Sequence, residues 1–528
     1  MSGDEKKFVM DWVESQKDRF SKYHSIIWNY GETAFREYRS AAWYVDLLRR
    51  EGFAVEEGSA GMPTAFCATW ANGDGPVIGG YAEYDGIPGN CQAADTVRRP
   101  RDGLSPLAGG HTDPHSILGI SSLGGFLAAK AVMEKFNLPG ILKFFGEPAE
   151  KLRASKPIHA AKGYYDDLDA AFSFHPFYML PLCNTTRWDT HCGTGYNVMY
   201  TFDCPSPETW ISAPDDSPIP ASHSATRCPG ATDAVIHMYT MAKMAKEHMI
   251  SNNVGWSLNE TITLVGQATA DNIPAHKGQI HYMIRVPDED MAETVVRILD
   301  KTAEAAALAT HCTWRRDWIA KSRRGLPNHV MADATYKNLA IAGPPVYSER
   351  AREYAREIQK NLGFDPMPDP FIDEIQRLIT PQDCERELRK MLPEWQENFT
   401  SDDYTDYCWH APTVRLYVGR PALRPPAPGQ AYPAWVMNAL GGIPECIDPT
   451  FVTTAKTIGM TICDLLTKPD VLNEAKAEFV QRTGGGVGGS KWVPCLCDYE
   501  PPIDFPWPEY VTTARGENQW WIPAKGDR

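Results

Sequence analysis

The chain has 528 residues, a formal charge of −15 at neutral pH, 43% hydrophobic and 23% charged residues. That length exceeds one compact core and predicts two or more domains, and the composition is that of a globular protein. The acidic balance excludes the basic footprint of a nucleic-acid binder. Residues 1–12 mix acids and bases without an apolar core, so they do not read as a secretory signal. The thirteen cysteines are scattered, and Cys495 and Cys497 form C-x-C rather than the C-x-x-C of a zinc ribbon. Reduced thiols in a cytoplasmic protein are the expectation.

Residues 1–52 carry apolar positions at helical spacing (Ile26, Ile27, Ala41, Trp43, Leu47, Leu48). Asn72-Gly73-Asp74-Gly75 signals a turn before a buried strand over 76–81. Residues 91–108, with three arginines among prolines and aspartates, read as a surface excursion. A long helix is predicted from His115 to Phe136, ended by Asn137-Leu138-Pro139-Gly140. Its core, 117–133, holds Ser121, Ser122 and Lys130 and reads as a buried helix, not a membrane span. Strands follow at 141–145 and 170–174 with a helix between, a rhythm that argues for an α/β sheet with right-handed crossovers. The middle reads as strand 196–202, helix 231–249, strands 261–265 and 279–286, helix 288–310 and strand 312–318. That order is the split βαβ pattern of a ferredoxin-like unit. Beyond about residue 484, Gly, Pro and Trp predict a wrapping segment.

Three local clusters could carry chemistry. In Gly110-His111-Thr112-Asp113-Pro114-His115 an Asp and a His, both ligands for first-row metals, stand at a predicted strand-to-helix loop. In Gly146-Glu147-Pro148-Ala149-Glu150-Lys151 a carboxylate follows a strand, where it could serve as general base. His175 ends an apolar strand, and taken alone such a histidine is more often a satisfied core residue than a ligand.

Their order decides more than any one of them. Tyr81-Ala82-Glu83-Tyr84-Asp85-Gly86-Ile87-Pro88-Gly89 comes first, then the Asp113-x-His115 and Glu150-Lys151 segments, then Phe174-His175-Pro176. Ser222-His223-Ser224-Ala225, Asp271-Asn272-Ile273-Pro274, the run Ser401 to Trp409, and Cys446-Ile447-Asp448-Pro449 follow. This series resembles the amidohydrolase branch of the M20 metallopeptidase superfamily. The resemblance implies a zinc-exopeptidase-like α/β catalytic domain (1–192 and 318–483), an inserted ferredoxin-like α+β lid and dimerisation domain (193–317) and a C-terminal extension (484–528). It also implies a homodimer or larger homo-oligomer, a small-molecule substrate, and no nucleic-acid or membrane partner.

The same resemblance implies roles. Asp113, His115 and His175 become metal ligands, Glu150 the general base, Asp85 the partner that orients a ligand, and His223 a lid group that polarises the substrate. Asn272 and Arg285 become candidates for holding a substrate carboxylate, Arg by its bidentate fork. The chain departs from the family where a second glutamate ligand and a late histidine ligand are expected: Lys151 and Asp448 stand there. An ammonium has donors only. The expectation is therefore one divalent transition metal per chain, Mn favoured and Zn second, with Lys151 replacing the other ion and paired with Asp448 or Asp113. His410 is a weaker substitute ligand.

The expected reaction is C–N hydrolysis: the metal acidifies a water, and Glu150 takes its proton and returns it to the leaving nitrogen. Loss of one metal favours an aminohydrolase releasing ammonia from an activated aromatic amine, such as 5-nitroanthranilate to 5-nitrosalicylate, whose ring stores the developing charge. The alternatives are an amidohydrolase of N-acyl amino acids or aminobenzoyl-glutamate conjugates, and a degenerate binding protein.

Overall fold

The computed structural model describes residues 3–178, 181–205, 229–250, 256–266 and 274–504, together with the backbone of 509–513 and 516–521. In chain order the first twelve strands are β1 (Ala54–Glu57), β2 (Phe66–Ala71), β3 (Val77–Ala82), β4 (Ile141–Gly146), β5 (Ala170–Phe177), β6 (Thr185–Thr186), β7 (Cys192–Asp203), β8 (Ser257–Leu264), β9 (Lys277–Val286), β10 (Thr313–Ser322), β11 (Phe399–Ser401) and β12 (Thr413–Gly419).

Seven of these form one sheet in the order β1-β2-β4-β3-β5-β12-β6. The central strands β4, β3, β5 and β12 are parallel, and both edges are antiparallel. Parallel strands are covered on both faces, which is why β5 and β12 are almost wholly buried. The helix His115–Phe136 packs on β3 and against the helices Asp4–Tyr30 and Pro444–Thr467. It is long and apolar enough to cross a membrane, yet most of it is buried within the fold. Asn137, in the left-handed region at φ 51°, ends it where the Asn-Leu-Pro-Gly signal predicts.

The second sheet has the order β10-β7-β9-β8, all antiparallel. Counted within the insert this is 4-1-3-2, the ferredoxin-like arrangement, with the helices Ala231–Met249 and Glu289–Thr310 packed on it. β11 pairs in parallel with the first residues of the inner strand β7, Cys192 and Gly193. The observed strands run Ser257–Leu264 and Thr313–Ser322, where the pattern predicts 261–265 and 312–318. Along β10 the burial turns continuous only from Ile319, where it meets the catalytic half, so alternation could not mark its end.

One further expectation is corrected. Residues 91–108 are not a plain surface excursion: Cys91, Gln92, Ala93, Thr96, Arg101 and Ala108 are buried. The Arg101 guanidinium lies 5.7 Å from the Trp28 ring and donates to Gly109 O, so an arginine that reads as solvated packs its flat face on an aromatic instead. The described part of the C-terminal segment lies over the surface of the fold, as its composition predicts, and is pinned there. Trp492 Nε1 donates to Trp409 O, Arg323 Nη1 to Val493 O, and Lys321 N to the Tyr499 hydroxyl.

Close helix contact rests on glycine. A Cβ at Gly125 would stand 2.6 Å from Ile458 Cβ and 2.7 Å from its Cγ2. Gly125→Val should therefore destabilise the protein by about 3 kcal/mol, as overpacking does. Chemical denaturation measures this, and a stability equal to wild type would mean that the two helices separate at little cost.

Candidate active site

The carboxyl ends of the four parallel strands converge, the usual place for a site in an open α/β sheet. β3 leads into Glu83 and Asp85, β4 into Glu150 and Lys151, β5 carries His175 near its end, and β12 leads into Arg420. Asp113 and His115 enter at the start of the helix His115–Phe136.

His115 is fully buried. Its Nδ1 lies 2.6 Å from Asp85 Oδ1, and Asp85 Oδ2 accepts the Lys151 backbone N–H at 2.8 Å. Its Nε2 faces the centre, 2.8 Å from Lys151 Nζ, 3.1 Å from Glu150 Oε2 and 3.2 Å from Glu83 Oε2. Burial and the Lys151 charge oppose a proton on this ring, but Glu83 and Asp85 outweigh them and, on charge alone, push it up to about 10. The 2.8 Å approach of an ammonium decides for the neutral ring, with Nδ1–H on Asp85 and the Nε2 lone pair turned to the centre. Lys151 is held protonated: Asp113 and then Glu150 outweigh its burial.

Lys151 Nζ also donates to Asp113 Oδ2 at 2.8 Å, and that oxygen is 3.5 Å from His175 Nε2 and 3.8 Å from His115 Nε2. Against burial, Lys151 and His175 hold Asp113 well below the usual carboxylate range. Glu150 is likewise held ionised against its burial, by Arg153, which bonds its Oε1, and by Lys151.

A divalent cation fits this donor set. Glu83, His115 and His175 each offer a ligand atom within 4.8 Å of the others. Glu83 Oε2 is buried with no hydrogen-bond partner, an orphan acceptor aimed at the lone pair of His115. A second buried group, Glu83, Glu150, Asp402 and Asp403, adjoins it. Its charge is met by Lys156, 2.7 Å from both Glu83 Oε1 and Asp403 Oδ1, and by Arg415, 2.5 Å from Asp402 Oδ2.

The loop that carries Glu150 and Lys151 is strained and anchored. Ala149 and Arg153, on either side, have φ of 54° and 58°. The buried Glu37 accepts the Ala149 N–H, and Glu147 accepts from the Tyr165 and Tyr407 hydroxyls and lies 2.9 Å from His159 Nδ1. Ser59 Oγ lies 2.8 Å from His159 Nε2. Ser59, His159 and Glu147 thus have the connectivity of a nucleophile triad, but all three are fully buried and act as a loop anchor.

A cavity of about 550 Å³ opens onto Asp113, Glu150, Lys151 and His175 and is walled by Phe177, Tyr178, Phe399 and Tyr417. Arg285 reaches it from β9. Burial, then Arg153, push this guanidinium down to about 10; its nearest partners are Ser401 O at 3.5 Å and Met283 Sδ at 3.6 Å.

Sequence comparison gives two relatives. A p-aminobenzoyl-glutamate hydrolase chain of Escherichia coli (strain K12) is 28% identical over 357 residues, 67% of this chain and 69% of that protein. Xaa-Arg dipeptidase of Mus musculus is 23% identical over 362 residues, 66% of this chain and 73% of that protein. Among solved structures, the aminobenzoyl-glutamate utilization protein from Klebsiella pneumoniae aligns over 87% of this chain and 99% of its own, with a TM-score of 0.52 and 12% identity. No family model matches. The chain shares its fold with the Klebsiella pneumoniae protein, and the two sequence likenesses agree with the M20-type resemblance carried by the motif series.

The structure brings Asp113, Glu150, Lys151, His175 and Arg285 to one cavity, with His115 and Asp85 fully buried behind Lys151. His223 and Asn272 lie outside the described residues. Asp448 is not at the site. It sits on the helix Pro444–Thr467 beside Ser21 and Lys17 of the first helix, so Lys151 pairs with Asp113 alone of its two expected partners. His410 is also elsewhere, between Asp166 and Arg323. Glu83, Asp402 and Asp403 stand in the motif series without a role assigned to them, and Lys156 and Arg415 carry no sequence signal. Glu83 carries a signal: it stands two residues before Asp85, where an apolar strand ends.

Asp448 supplies a pH test. Burial pushes its carboxyl up to about 6, whereas an unfolded aspartate titrates at about 3.9. Between these values the folded state keeps a proton that the unfolded state has lost, so stability falls as pH rises through this window. Asp448→Asn has no such proton to lose. Its melting temperature should gain on wild type from about pH 4 to 7 with metal content and turnover unchanged; loss of metal from this variant would return Asp448 to the site.

Proposed function

We propose that the chain hydrolyses the amide bond of a small aromatic acid conjugate, of the kind in which an aroyl group is joined to an amino acid. The observation that carries this is the Glu150 carboxylate, 3.1 Å from His115 Nε2, facing a cavity that combines aromatic walls with Arg285. The name of the Escherichia coli relative supports an aminobenzoyl-glutamate-like substrate. One divalent metal would be held by His115 and His175 with Asp113 or Glu83, with the Lys151 ammonium turned off the His115 Nε2 lone pair and kept on Asp113; these are nitrogen and oxygen donors that suit Mn or Zn. When bound, that ion acidifies water and polarises the scissile carbonyl.

The remaining work belongs to the chain. Asp85 fixes the His115 tautomer. Glu150 is ionised, accepts the water proton and returns it to the departing nitrogen. Its proton affinity is depressed by Arg153 and Lys151, so it acts well only on a water that is itself acidified. Arg285 takes the substrate carboxylate in a bidentate pair. His223 polarises the carbonyl from the lid and Asn272 assists Arg285. The lid builds a homodimer. Twelve free cysteines among the described residues support a reducing, cytoplasmic setting.

A second reading, release of ammonia from an activated aromatic amine such as 5-nitroanthranilate, is favoured by Lys151. Its ammonium bridges Asp113 and His115, where a second cation would otherwise sit. A nitro-substituted ring stores the charge of the addition step, so one Lewis acid is enough for it. The sequence likeness moves the amide reading ahead of this one.

Glu150→Gln should keep its metal and lose about 10²- to 10⁴-fold in kcat. Lys151→Glu should raise metal content from about one ion per chain to about two, as read by elemental analysis. Two ions in the wild type would defeat the lysine-for-metal reading. Amino-acid release from p-aminobenzoyl-glutamate supports the first substrate class; ammonia from 5-nitroanthranilate with an inert amide supports the second.

A further inference from the structure

Arg420 is the first residue after β12 and faces the same cavity. It is 4% exposed. Its Nη1 donates to Thr112 O at 2.8 Å, its Nη2 lies 3.5 Å from Met437 Sδ, and its guanidinium stands 4.9 Å from the Tyr178 ring. Among the described residues no carboxylate pairs with it. Arg285, half-buried on β9, is also without a carboxylate partner among the described residues; its nearest partners are a carbonyl at 3.5 Å and a thioether at 3.6 Å. A desolvated cation without a counter-ion is costly, and two at one cavity call for anions from outside.

The two stand on different sides of the catalytic row. Arg420 donates to the carbonyl of Thr112, next to Asp113, whereas Arg285 lies by the carbonyl of Ser401, next to Asp402. Lys151 lies between, bonded to Asp113 and 3.6 Å from Glu150. The cavity they share has an aromatic wall that reaches Arg420 through Tyr178: the His175 and Phe177 rings are 5.7 Å apart, Phe177 and Tyr417 4.6 Å, and Phe177 and Tyr178 6.5 Å. A flat ring stacked on that wall lies in one cavity with both guanidiniums.

We propose that Arg420, with Tyr178, forms a second anion subsite on the Asp113 side of the cavity, so that the preferred substrate carries an anionic group at each end of a flat ring. This rests on the reading of the cavity as the site of an aromatic acid. It adds a specificity that the reading does not contain: an acidic substituent on the aryl side of the bond to be cut, in addition to the carboxylate held by Arg285.

Calorimetric titration of the purified full chain with benzoate, isophthalate and terephthalate tests it. At least one diacid should bind about tenfold tighter than benzoate. Arg420→Gln should erase that advantage. Met437→Glu should erase it too, because it supplies Arg420 with an internal counter-ion while keeping the guanidinium in place. Diacids no tighter than benzoate, or an advantage that survives in either folded variant, would overturn the subsite while leaving the aromatic-acid reading standing. Failure of all three acids to bind would overturn both.

Discussion

A protonated lysine sits within 2.8 Å of both an aspartate and the free nitrogen of a buried histidine, and the site is arranged around that charge. An ammonium there neutralises Asp113 and helps hold Glu150 ionised, which a second metal ion would otherwise do. It also commits the His115 tautomer. With Lys151 as donor on one side and Asp85 as acceptor on the other, the imidazole has one arrangement that satisfies both. A lysine charge differs from a metal in one respect that matters for chemistry: it offers no vacant coordination position to a water or a carbonyl.

Holding such a charge in place requires a rigid loop, and the energy of that rigidity is spread through the surrounding core. The turn over residues 149–153 begins and ends in the left-handed region with Ala149 and Arg153, neither of them glycine. Strain of about 1–3 kcal/mol per residue persists only where the neighbourhood over-determines the backbone. Glu37 grips the Ala149 N–H, the Asp85 carboxylate grips the Lys151 N–H, and Arg153 closes back on the Glu150 carbonyl. Glu147 ties the strand end to two tyrosines and a histidine of the core. The buried acids are thus shared between two tasks, positioning the loop and presenting charge to the cavity.

The strand and helix pattern was readable because the parallel sheet and the long buried helix carry strong periodicity and clear stop signals, as at Asn137. The insert was readable for the same reason, since its alternating strands and two amphipathic helices leave little choice of order. The site was readable only in part. Asp113, His115 and His175 stand at strand ends and a helix start, positions that sequence marks. Glu83, Asp402, Asp403, Lys156 and Arg415 come together from opposite ends of the chain, and a buried ion network leaves no periodic trace. Asp448 misled for the opposite reason: it occupies a plausible order in the motif series but sits on the far partner of a helix pair. Arg101 misled because charge in a polar stretch reads as exposure, whereas packing on Trp28 buries it.

The lid and the catalytic groups are mechanically joined. β7 of the insert pairs in parallel with β11, and β11 runs directly into Asp402 and Asp403. Thr400, at its centre, has a φ of 60°, which is costly for a β-branched residue, and the register shifts across it. Arg285 of β9 reaches Ser401 O in the same place. A displacement of the lid sheet therefore pulls on the backbone that presents Asp402 to Arg415 and Asp403 to Lys156. On the other side of the insert, Arg323 at the end of β10 is pinned by Asp406 and by the Val493 carbonyl of the C-terminal segment. The insert is thus tied at both of its connections to the acid cluster and its neighbours, so that the position of Arg285 is coupled through β11 to Asp402 and Asp403.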